Sequence, residues 1–488
     1  MIIGADIGTQ SLKVAILDSD LRIVGQSARS YQPSYPRPGW VEQSPDLWTE
    51  TLGPAIADAL KTASVRPAEI QALGFCGQLD GCIAVDAEGR PLAPCLIWID
   101  RRATAEIADI PPELVRAACG LVLDPSHLAA KARWLTRHLP SGVRIARFHQ
   151  PISYMVEQMT GAVVIDHALA STSMLYSLDR RAYDPVLLDK FGLSASQLPP
   201  IASAESRAGR LNRRGAALTG LLEGVAVAVG TGDDFGTPLG AGLNSPGRVA
   251  AVLGTGEVVG ALHPTPLRDE SGLLETHAYP GGAYFIENPG WFSGGAVTWI
   301  SQLLKVPDLG ALNALAAEVP AGADGVTFLP ALTGAMAPEW QPDARGCFYG
   351  MAPGHGPGHL VRSVLEGCAF AMRDVVDRLD QMGVTTKSLL LIGGGAHSRL
   401  WSQMRADITQ RPVQLPYCID SAPVGAALLA AVAGGIAGNL QEAAENLPVQ
   451  CAEIEPDPRK AGAYEDAYDR YRRLFTSLRP LFAAQQED

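Results

Sequence analysis

The chain has 488 residues, of which 47% are hydrophobic and 18% are charged, and its formal net charge is −12. Because a single hydrophobic core rarely serves more than about 250 to 300 residues, two domains are expected. The acidic balance disfavours nucleic acids and anionic membrane surfaces, which attract basic proteins. The composition also excludes a disordered chain. We therefore expect a globular protein that acts on a small molecule.

The cysteines are scattered and form no CxxC pair, which is typical of reduced thiols. They are Cys76, Cys82, Cys95, Cys119, Cys347, Cys368, Cys418 and Cys451. The sequence begins without a basic leader and contains no uninterrupted apolar run of about 18 residues. These features predict a cytoplasmic protein without a membrane partner.

Short apolar runs alternate with amphipathic helical patterns in the first half of the chain. Helices are predicted over 47–63 and 128–139. Strands are predicted over 2–7, 12–17, 23–30, 70–76, 82–85 and 225–229. This alternation predicts the α/β class.

The second half begins by repeating the pattern of the first. Residues 249–262 again read as a strand, a Gly-Thr turn and a returning strand, which indicates an internal duplication. The domain boundary is predicted near Asn244-Ser245-Pro246-Gly247, which gives domains 1–245 and 246–488. The remaining elements predicted here are a strand over 388–392 and helices near 296–306, 359–382, from 424 and near 462–484.

Glycine-rich turns follow predicted strands at residues 8–11, 230–236, 254–256 and 393–395. Successive backbone N–H groups in such turns suit phosphate oxygens, although one such turn alone is more typical of an ordinary hairpin. The chain contains neither GxxxxGK[ST] nor GxGxxG after a strand. The four turns together favour a nucleotide that is held between two domains without either of these motifs.

Acidic residues accompany two of the turns. Asp6 precedes the first turn, and Asp233 and Asp234 lie within the second. A magnesium ion with mostly water ligands bridges such carboxylates to phosphate, and phosphoryl transfer needs one carboxylate to accept the proton of the attacking hydroxyl. We expect Asp233 to be that base. The alternative interpretation of the acid pair is an Asx turn or a helix N-cap.

Five segments resemble the FGGY family of carbohydrate kinases, and the resemblance covers nearly the whole chain. They are ADIGTQSLKV, GTGDDFGTPLGAG, LIGGGAHSRLWSQMRAD, HLAAKARWLTRH and GCFYGMAPGHGPGHLVRSVLEG. Two more, PGWVEQSPDLW and CLIWIDRRA, resemble the xylulokinase branch. The resemblance implies the two-domain actin, hexokinase and Hsp70-like ATPase fold, with ribonuclease H-like domains and mixed sheets flanked by helices. It also implies an ATP- and Mg²⁺-dependent kinase for a small sugar, most closely a pentulose such as D-xylulose, and leaves a homodimer open.

The resemblance implies site residues position by position. Asp233 takes the role of general base, and Asp6 and Asp233 take that of metal ligands. The nucleotide-binding residues are Gly8, Thr9, Gln10, Ser11, Lys13, Gly254, Thr255, Gly394, Gly395 and Ala396. The sugar-binding residues are Gln78, Leu79, Asp80, Asp100, Asp233 and Asp234, the last standing where the family usually has an amide.

Two segments depart from the family pattern. GQLDG at 77–81 stands where xylulokinases usually have GQMHG, whose histidine contacts the ketose. An ionised Asp80 can only accept hydrogen bonds, so it requires a hydroxyl that donates to it. Ala335-Met336-Ala337 occupies a loop in which the family favours a glutamate and an arginine. A kinase for another ketose or polyol, or an inactive ATP-binding homologue of the same fold, therefore stays open.

Overall fold

The computed structural model describes residues 1–416, 420–448 and 451–483. Its strands are β1 (Ile2–Ile7), β2 (Ser11–Leu17), β3 (Ile23–Ser30), β4 (Glu42–Gln43), β5 (Ala72–Gly77), β6 (Ile83–Val85), β7 (Cys95–Leu96), β8 (Arg147–His149), β9 (Ile165–Asp166), β10 (Tyr176–Ser177), β11 (Ala182–Tyr183), β12 (Ile201–Ala202), β13 (Arg207–Arg210), β14 (Ala226–Ala228), β15 (Thr231–Gly232), β16 (Gly247–Leu253), β17 (Gly256–His263), β18 (Glu275–Ala278), β19 (Tyr284–Phe292), β20 (Thr327–Leu329), β21 (Cys347–Tyr349), β22 (Thr386–Ile392), β23 (Val413–Pro416) and β24 (Cys451–Ile454).

Its α-helices are α1 (Pro45–Ala63), α2 (Pro112–Cys119), α3 (Leu128–His138), α4 (Pro151–Thr160), α5 (His167–Thr172), α6 (Pro185–Phe191), α7 (Arg213–Thr219), α8 (Asp233–Gly240), α9 (Gly294–Leu303), α10 (Leu309–Ala317), α11 (Pro357–Gln381), α12 (Arg399–Thr409), α13 (Ser421–Ala433), α14 (Leu440–Glu445) and α15 (Ala461–Ala483). Helices and strands alternate as the sequence pattern predicts. The predicted α/β class is therefore confirmed.

The first mixed sheet is built around β5. Its strand order is β13-β14-β5-β1-β2-β3, and the short strand β15 also pairs with β5. β1, β14 and β15 run parallel to β5, whereas β2 is antiparallel to β1 and β3 is antiparallel to β2. Every residue of β1 is buried, as expected for a strand that is covered on both faces of its sheet.

The second mixed sheet repeats this arrangement. Its order is β18-β19-β17-β16-β22-β23-β24. β16 runs parallel to β22 and antiparallel to β17, as β1 does to β5 and β2. β17 is antiparallel to β19, as β2 is to β3. The shared order and directions support the internal duplication that the sequence predicts.

One predicted turn differs from the structure. The glycine-rich turn expected over 230–236 ends at Gly232, and α8 begins at Asp233. Both Asp233 and Asp234 therefore lie in the first turn of a helix, where negative charge is favoured by the helix dipole. The acids are part of a regular element and not of a loop.

Helix α13 belongs to the second half of the sequence but packs against the first sheet. Its residues join a hydrophobic cluster with those of β1 and β5. Glycines make this contact very close, because a Cβ atom at Gly4 of β1 would lie 1.7 Å from the carbonyl oxygen of Pro423, and one at Gly74 of β5 would lie 2.0 Å from that of Ala426. The division at 245 stays a prediction, since the packing crosses it.

Among the described residues, no helix combines the length and the apolar character that a bilayer crossing requires. Seven of the cysteines are free thiols, most of them buried. Cys418, which is also predicted to be reduced, lies outside the described residues.

The contact between α13 and α8 predicts a large effect of one methyl group. A Cβ atom at Gly425 would lie 2.0 Å from the carbonyl oxygen of Gly236. Because backbone must move to relieve this clash, Gly425→Ala should destabilise the protein by about 1 to 3 kcal/mol, seen as a lower thermal unfolding midpoint. Gly462→Ala on α15 is the control, since a Cβ atom there has no neighbour within 4 Å. An equal effect of both substitutions would contradict the packing.

Candidate active site

Parallel pairing brings the predicted acids to one edge of the first sheet. Asp6 near the end of β1 and Thr231 at the start of β15 both pair in register with Cys76 of β5. Because the carboxyl ends of parallel strands meet at the same edge, Asp6, Gln78 and Asp233 converge there. The two residues predicted as metal ligands are thus close enough for their charges to interact.

Asp6, Asp233 and Asp234 lie close together at this edge, and their negative charges are poorly balanced by positive ones. Burial, and next the charge of Asp233, raise the pKa of Asp6. Burial also raises the pKa of Asp233, although backbone N–H groups at the start of α8 partly offset it. Burial, Asp233 and Asp80 raise the pKa of Asp234 to about 8. The charge of nearby Lys13 of β2 partly offsets the rise for Asp6, but Lys13 forms its ion pair with Asp420. The edge therefore gains stability from any added cation.

The donor set fits magnesium better than a metal that needs a full protein cage. Within the described residues, no group of three or more His, Cys, Asp or Glu side chains is arranged to hold a metal ion. Magnesium commonly takes one or two carboxylates and completes its shell with water and phosphate oxygens. Asp6 and Asp233 can supply those two carboxylates, so the metal role of both residues stays a prediction that the crowding favours.

The first glycine turn, residues 8–11, is held firmly by its neighbours. The Gly8 N–H donates to the Ser11 carbonyl at 3.0 Å, and the Tyr31 hydroxyl donates to the Gly8 carbonyl at 2.7 Å. Gln43 Nε2 donates to the Thr9 carbonyl at 2.6 Å. The carbonyl oxygens of Gly8, Thr9 and Ser11 therefore accept hydrogen bonds within the protein, while Gln10 at the tip of the turn is exposed.

Asp80 sits in a strained and tightly held loop after β5. Its φ of 58° lies in the left-handed region, which is uncommon for a residue other than glycine. Its N–H donates to Gln150 Oε1 at 2.9 Å, and its carbonyl accepts from Lys131 Nζ at 2.8 Å. Its carboxylate Oδ2 lies 3.1 Å from His127 Nδ1. Burial disfavours a charged His127, but Asp80 outweighs this and raises the pKa of His127 to about 9.

The other predicted sugar-binding residues occupy different environments. Gln78 is buried and donates from Nε2 to Gln43 Oε1 at 2.6 Å, which links it to the first glycine turn. Leu79 packs against a hydrophobic cluster that includes Ile7 of β1 and Phe75 of β5. Asp100 is fully buried: it accepts from the Val41 N–H at 2.6 Å and from Arg102 Nη2 at 2.7 Å. These contacts favour a positioning role for Asp100, and its predicted sugar contact stays untested.

The glycine turns of the second half lie beside a cleft. Gly254 and Thr255 lie in the exposed turn between β16 and β17, and the carbonyl of Thr255 accepts from the N–H of Gly295 at 3.0 Å, at the start of α9. Thr298 and Gln302 of α9 line two adjoining cavities of about 510 and 590 Å³. Thr255 also lines the smaller of them. The cleft is thus continuous with the turn.

The turn that contains Gly394, Gly395 and Ala396 closes another side of this region. It is a 3-10 turn after β22, whose strand is parallel to β16. Ser398 follows the turn, and its hydroxyl lies 2.9 Å from Asn313 Oδ1 of α10. Leu309 and Leu312 of α10 line the larger cavity. Of the predicted nucleotide residues of the second half, Thr255 thus lines the cleft, and the turn at 394–396 is joined through Ser398 to α10, which also lines it.

Sequence reasoning missed His127 and the cleft residues of α9. The Ser293-Gly294-Gly295 segment between β19 and α9 has the same strand, glycine and helix pattern that identified the other turns. From this pattern, the sequence could have identified the start of α9 as a further glycine turn beside the site. His127 begins the segment HLAAKARWLTRH, but the sequence did not indicate its contact with Asp80, because only the folded chain brings the two together.

The loop that departs from the family pattern is fixed to the second sheet. The backbone of Ala335 exchanges hydrogen bonds with that of Gln341, at 2.8 and 2.7 Å. Asn288 Nδ2 of β19 donates to the carbonyl of Met336 at 2.9 Å. The loop is ordered by backbone contacts, although it lacks the charged side chains that the family favours.

The raised pKa of Asp234 predicts a stability that depends on pH. In the folded protein this group keeps its proton up to about pH 8, while its ordinary pKa is 3.8. The unfolded chain then holds fewer protons, so stability declines as pH rises from about 4 to 8. Asp234→Asn should therefore raise the unfolding midpoint more at pH 8 than at pH 5. Asp189→Asn, at an exposed position of α6, should show no such difference. An equal gain at both pH values for Asp234→Asn would contradict this.

Comparisons with known proteins agree with this architecture. Residues 1–240 match the N-terminal domain model of the FGGY family of carbohydrate kinases, and residues 249–434 match the C-terminal domain model. The xylulose kinase of Escherichia coli (strain K12) is 31% identical over 99% of this chain and 100% of its own length. The glycerol kinase of Thermococcus gammatolerans is 30% identical over 90% of each protein.

The structural likeness is equally extensive. The crystal structure of a xylulose kinase from Rhodospirillum rubrum superposes with a TM-score of 0.90 at 31% identity and covers 99% of both chains. This likeness confirms the predicted two-domain fold of the actin and hexokinase type. The chain belongs to the FGGY family of carbohydrate kinases and is a phosphotransferase with an alcohol group as acceptor.

Proposed function

We propose that this kinase uses ATP and Mg²⁺ to phosphorylate a hydroxyl group of a small sugar, with a pentulose such as D-xylulose as its substrate. The observation that carries the proposal is the convergence of Asp6, Gln78 and Asp233 at one sheet edge, beside the Asp80 loop. Similarity to xylulose kinases over almost the full chain supports the pentulose.

Asp233 is the group that accepts the proton of the attacking hydroxyl. Its position in the first turn of α8 fixes its backbone, and the helix N-terminus favours its ionised form. Burial raises its pKa and so makes it a stronger base than an exposed aspartate. Because burial raises the pKa and the helix N-terminus lowers it, the Asp233 carboxylate is ionised near neutral pH and still accepts a proton readily.

The glycine turns of both halves bind the nucleotide. The turns at 8–11 and 254–256 hold phosphate oxygens, and the cleft along α9 holds the nucleoside. When bound through Asp6 and Asp233, Mg²⁺ supplies positive charge for the phosphate groups. Closure of the two halves excludes water from the site, so that the phosphoryl group is transferred to the sugar and ATP is not hydrolysed.

A polyol or another ketose is the second candidate substrate. Asp80 places a hydrogen-bond acceptor where xylulokinases usually have a histidine, and a glycerol kinase is as similar to this chain as a xylulose kinase. A hydroxyl that donates to Asp80 would satisfy it, whereas a ketone oxygen would not.

The test is ADP release, coupled to an optical readout, with MgATP and a panel of pentuloses, hexuloses and polyols. Turnover that is fastest with D-xylulose supports the pentulose. Turnover that is fastest with another ketose or a polyol selects the second candidate. Absence of ADP release with every acceptor would contradict the kinase activity altogether.

Substitution of Asp233, the proposed base, distinguishes its role in proton transfer from any role in MgATP binding. Asp233→Asn should lower kcat by at least about 100-fold, because the amide cannot accept the proton, while MgATP binding measured by calorimetry persists. Asp189→Asn is the control for the same exchange on the surface and should keep the activity. Turnover of Asp233→Asn at the rate of the unmodified enzyme would show that another group is the base.

A further inference from the structure

Glu257 of β17 and Arg405 of α12 form an ion pair in the interior of the second half. Both residues are completely buried. Arg405 donates from Nη1 to Glu257 Oε1, and from Nη2 to Glu257 Oε2 at 2.7 Å. Two parallel hydrogen bonds of this kind fix the orientation of both side chains. The ion pair is therefore a rigid link between a strand and a helix that are far apart in the sequence.

Glu257 connects the ion pair to the turn at 254–256 and to the start of α9. It directly follows the turn in the sequence, and its Oε2 accepts a hydrogen bond from Ser293 Oγ at 2.6 Å. Ser293 is also completely buried, and its N–H donates to the carbonyl of Thr255 at 3.2 Å. Ser293 thus joins the turn, the first residues of α9 and the ion pair.

Arg405 connects the ion pair to the turn at 394–396. Its guanidinium lies over the ring of Trp401, one helical turn earlier in α12, at 4.4 Å from the ring centroid. That ring packs against the turn, since a Cβ atom at Gly395 would lie 3.0 Å from Trp401 Cζ3. The ion pair and its neighbours therefore contact three segments that border the cleft along α9.

Stability alone does not explain a buried ion pair at this place. The desolvation of two charges often outweighs their attraction, and well-packed apolar residues in their place are commonly as stable or more stable. Arg405 Nε is also buried without a hydrogen-bond partner among the described residues, which adds to the cost. A fixed geometry between the surrounding turns is a benefit that apolar residues would not supply.

We propose that Glu257, Arg405 and Ser293 are positioning residues for the nucleotide, which hold the turn at 254–256 at a fixed distance from the cleft along α9. The proposal rests on the proposed kinase function and deepens it, since ATP must reach the turn with its phosphates and the cleft with its nucleoside. A ligand that binds at two places gains affinity only while their separation matches its own length. Because the three side chains are completely buried, they act through the backbone of the turn and of α9.

Ser293→Ala tests the smallest part of this link. It removes only the hydroxyl group that joins α9 to Glu257, and it leaves the hydrogen bonds between Glu257 and Arg405 in place. We expect the Kd of MgATP, measured by calorimetry without an acceptor, to rise about tenfold, and the KM of the acceptor to change less than twofold. Ser363→Ala is the matched control, because that buried hydroxyl donates to the carbonyl of Leu360 within α11. An equal Kd of MgATP in both variants would overturn the proposal.

Replacing the whole ion pair distinguishes positioning from stability. Glu257→Gln leaves Arg405 without its charge partner, so the unfolding midpoint and the affinity for MgATP should both fall. In the double variant Glu257→Leu and Arg405→Met, apolar side chains fill the space, and we expect the midpoint to recover while the Kd of MgATP stays at least about tenfold raised. A double variant that regains both properties would show that the pair serves stability only.

A second buried ion pair of the same half provides the matched control. Glu366 of α11 accepts from Arg362 Nε at 2.7 Å, and both residues are at most 5% exposed. Glu366→Gln should lower the unfolding midpoint as Glu257→Gln does, yet leave the Kd of MgATP unchanged. A comparable loss of MgATP affinity in Glu366→Gln would mean that any destabilised variant binds the nucleotide poorly, which contradicts a specific role for Glu257.

Calorimetry keeps this test independent of turnover. If no acceptor yields ADP, the kinase function fails, and the Kd of MgATP in Ser293→Ala still decides the positioning role. If that Kd is unchanged while the unmodified protein phosphorylates an acceptor, the positioning role fails and the kinase function stands. If the unmodified protein binds no MgATP, both fail together.

Discussion

The parallel pairing of β1 and β15 with β5 is the constraint on which the rest of the site depends. It places Asp6 and Asp233 at the same sheet edge, although they are far apart in the sequence. Burial disfavours the ionised form of both carboxyl groups, and a less rigid sheet would let the two groups move apart. Here β1 is buried along its whole length, so the sheet holds the carboxyl groups in place. Stability is given up locally to keep acids where a cation and a hydroxyl can meet.

The two halves use one topology for different chemistry. In each, one strand forms an antiparallel hairpin with the next and pairs in parallel with a later strand, and a glycine turn joins the two strands of the hairpin. In the first half the neighbouring side chains are acids, which suits proton and metal chemistry. In the second half the turn opens on a cleft lined by α9, which suits a nucleoside. In the proposed function the shared scaffold positions both reactants, and the side chains at its edges distinguish them.

Elements with strong local patterns could be predicted from the sequence, and so could the acids beside the turns. β3 spans Ile23–Ser30, as the alternation and flanking turn predict. Asp233 was identifiable because it follows a strand and a glycine turn. The environments of Asp100 and His127 could not be predicted, because Val41 contacts Asp100 and Asp80 contacts His127 from distant segments. The ion pair of Glu257 and Arg405 was missed for the same reason, since isolated charged residues in a strand and a helix carry no spacing signal.

The position of α13 in the sequence has a consequence for how the chain folds as it is made. This helix completes the hydrophobic cluster over β1 and β5, yet it spans Ser421–Ala433. A growing chain therefore exposes that face of the first sheet until most of the protein has left the ribosome. Contacts over such long sequence separations form late, and uncovered apolar strands associate with other chains in the meantime. The first sheet therefore completes its packing only after α13, in the second half, has been synthesised.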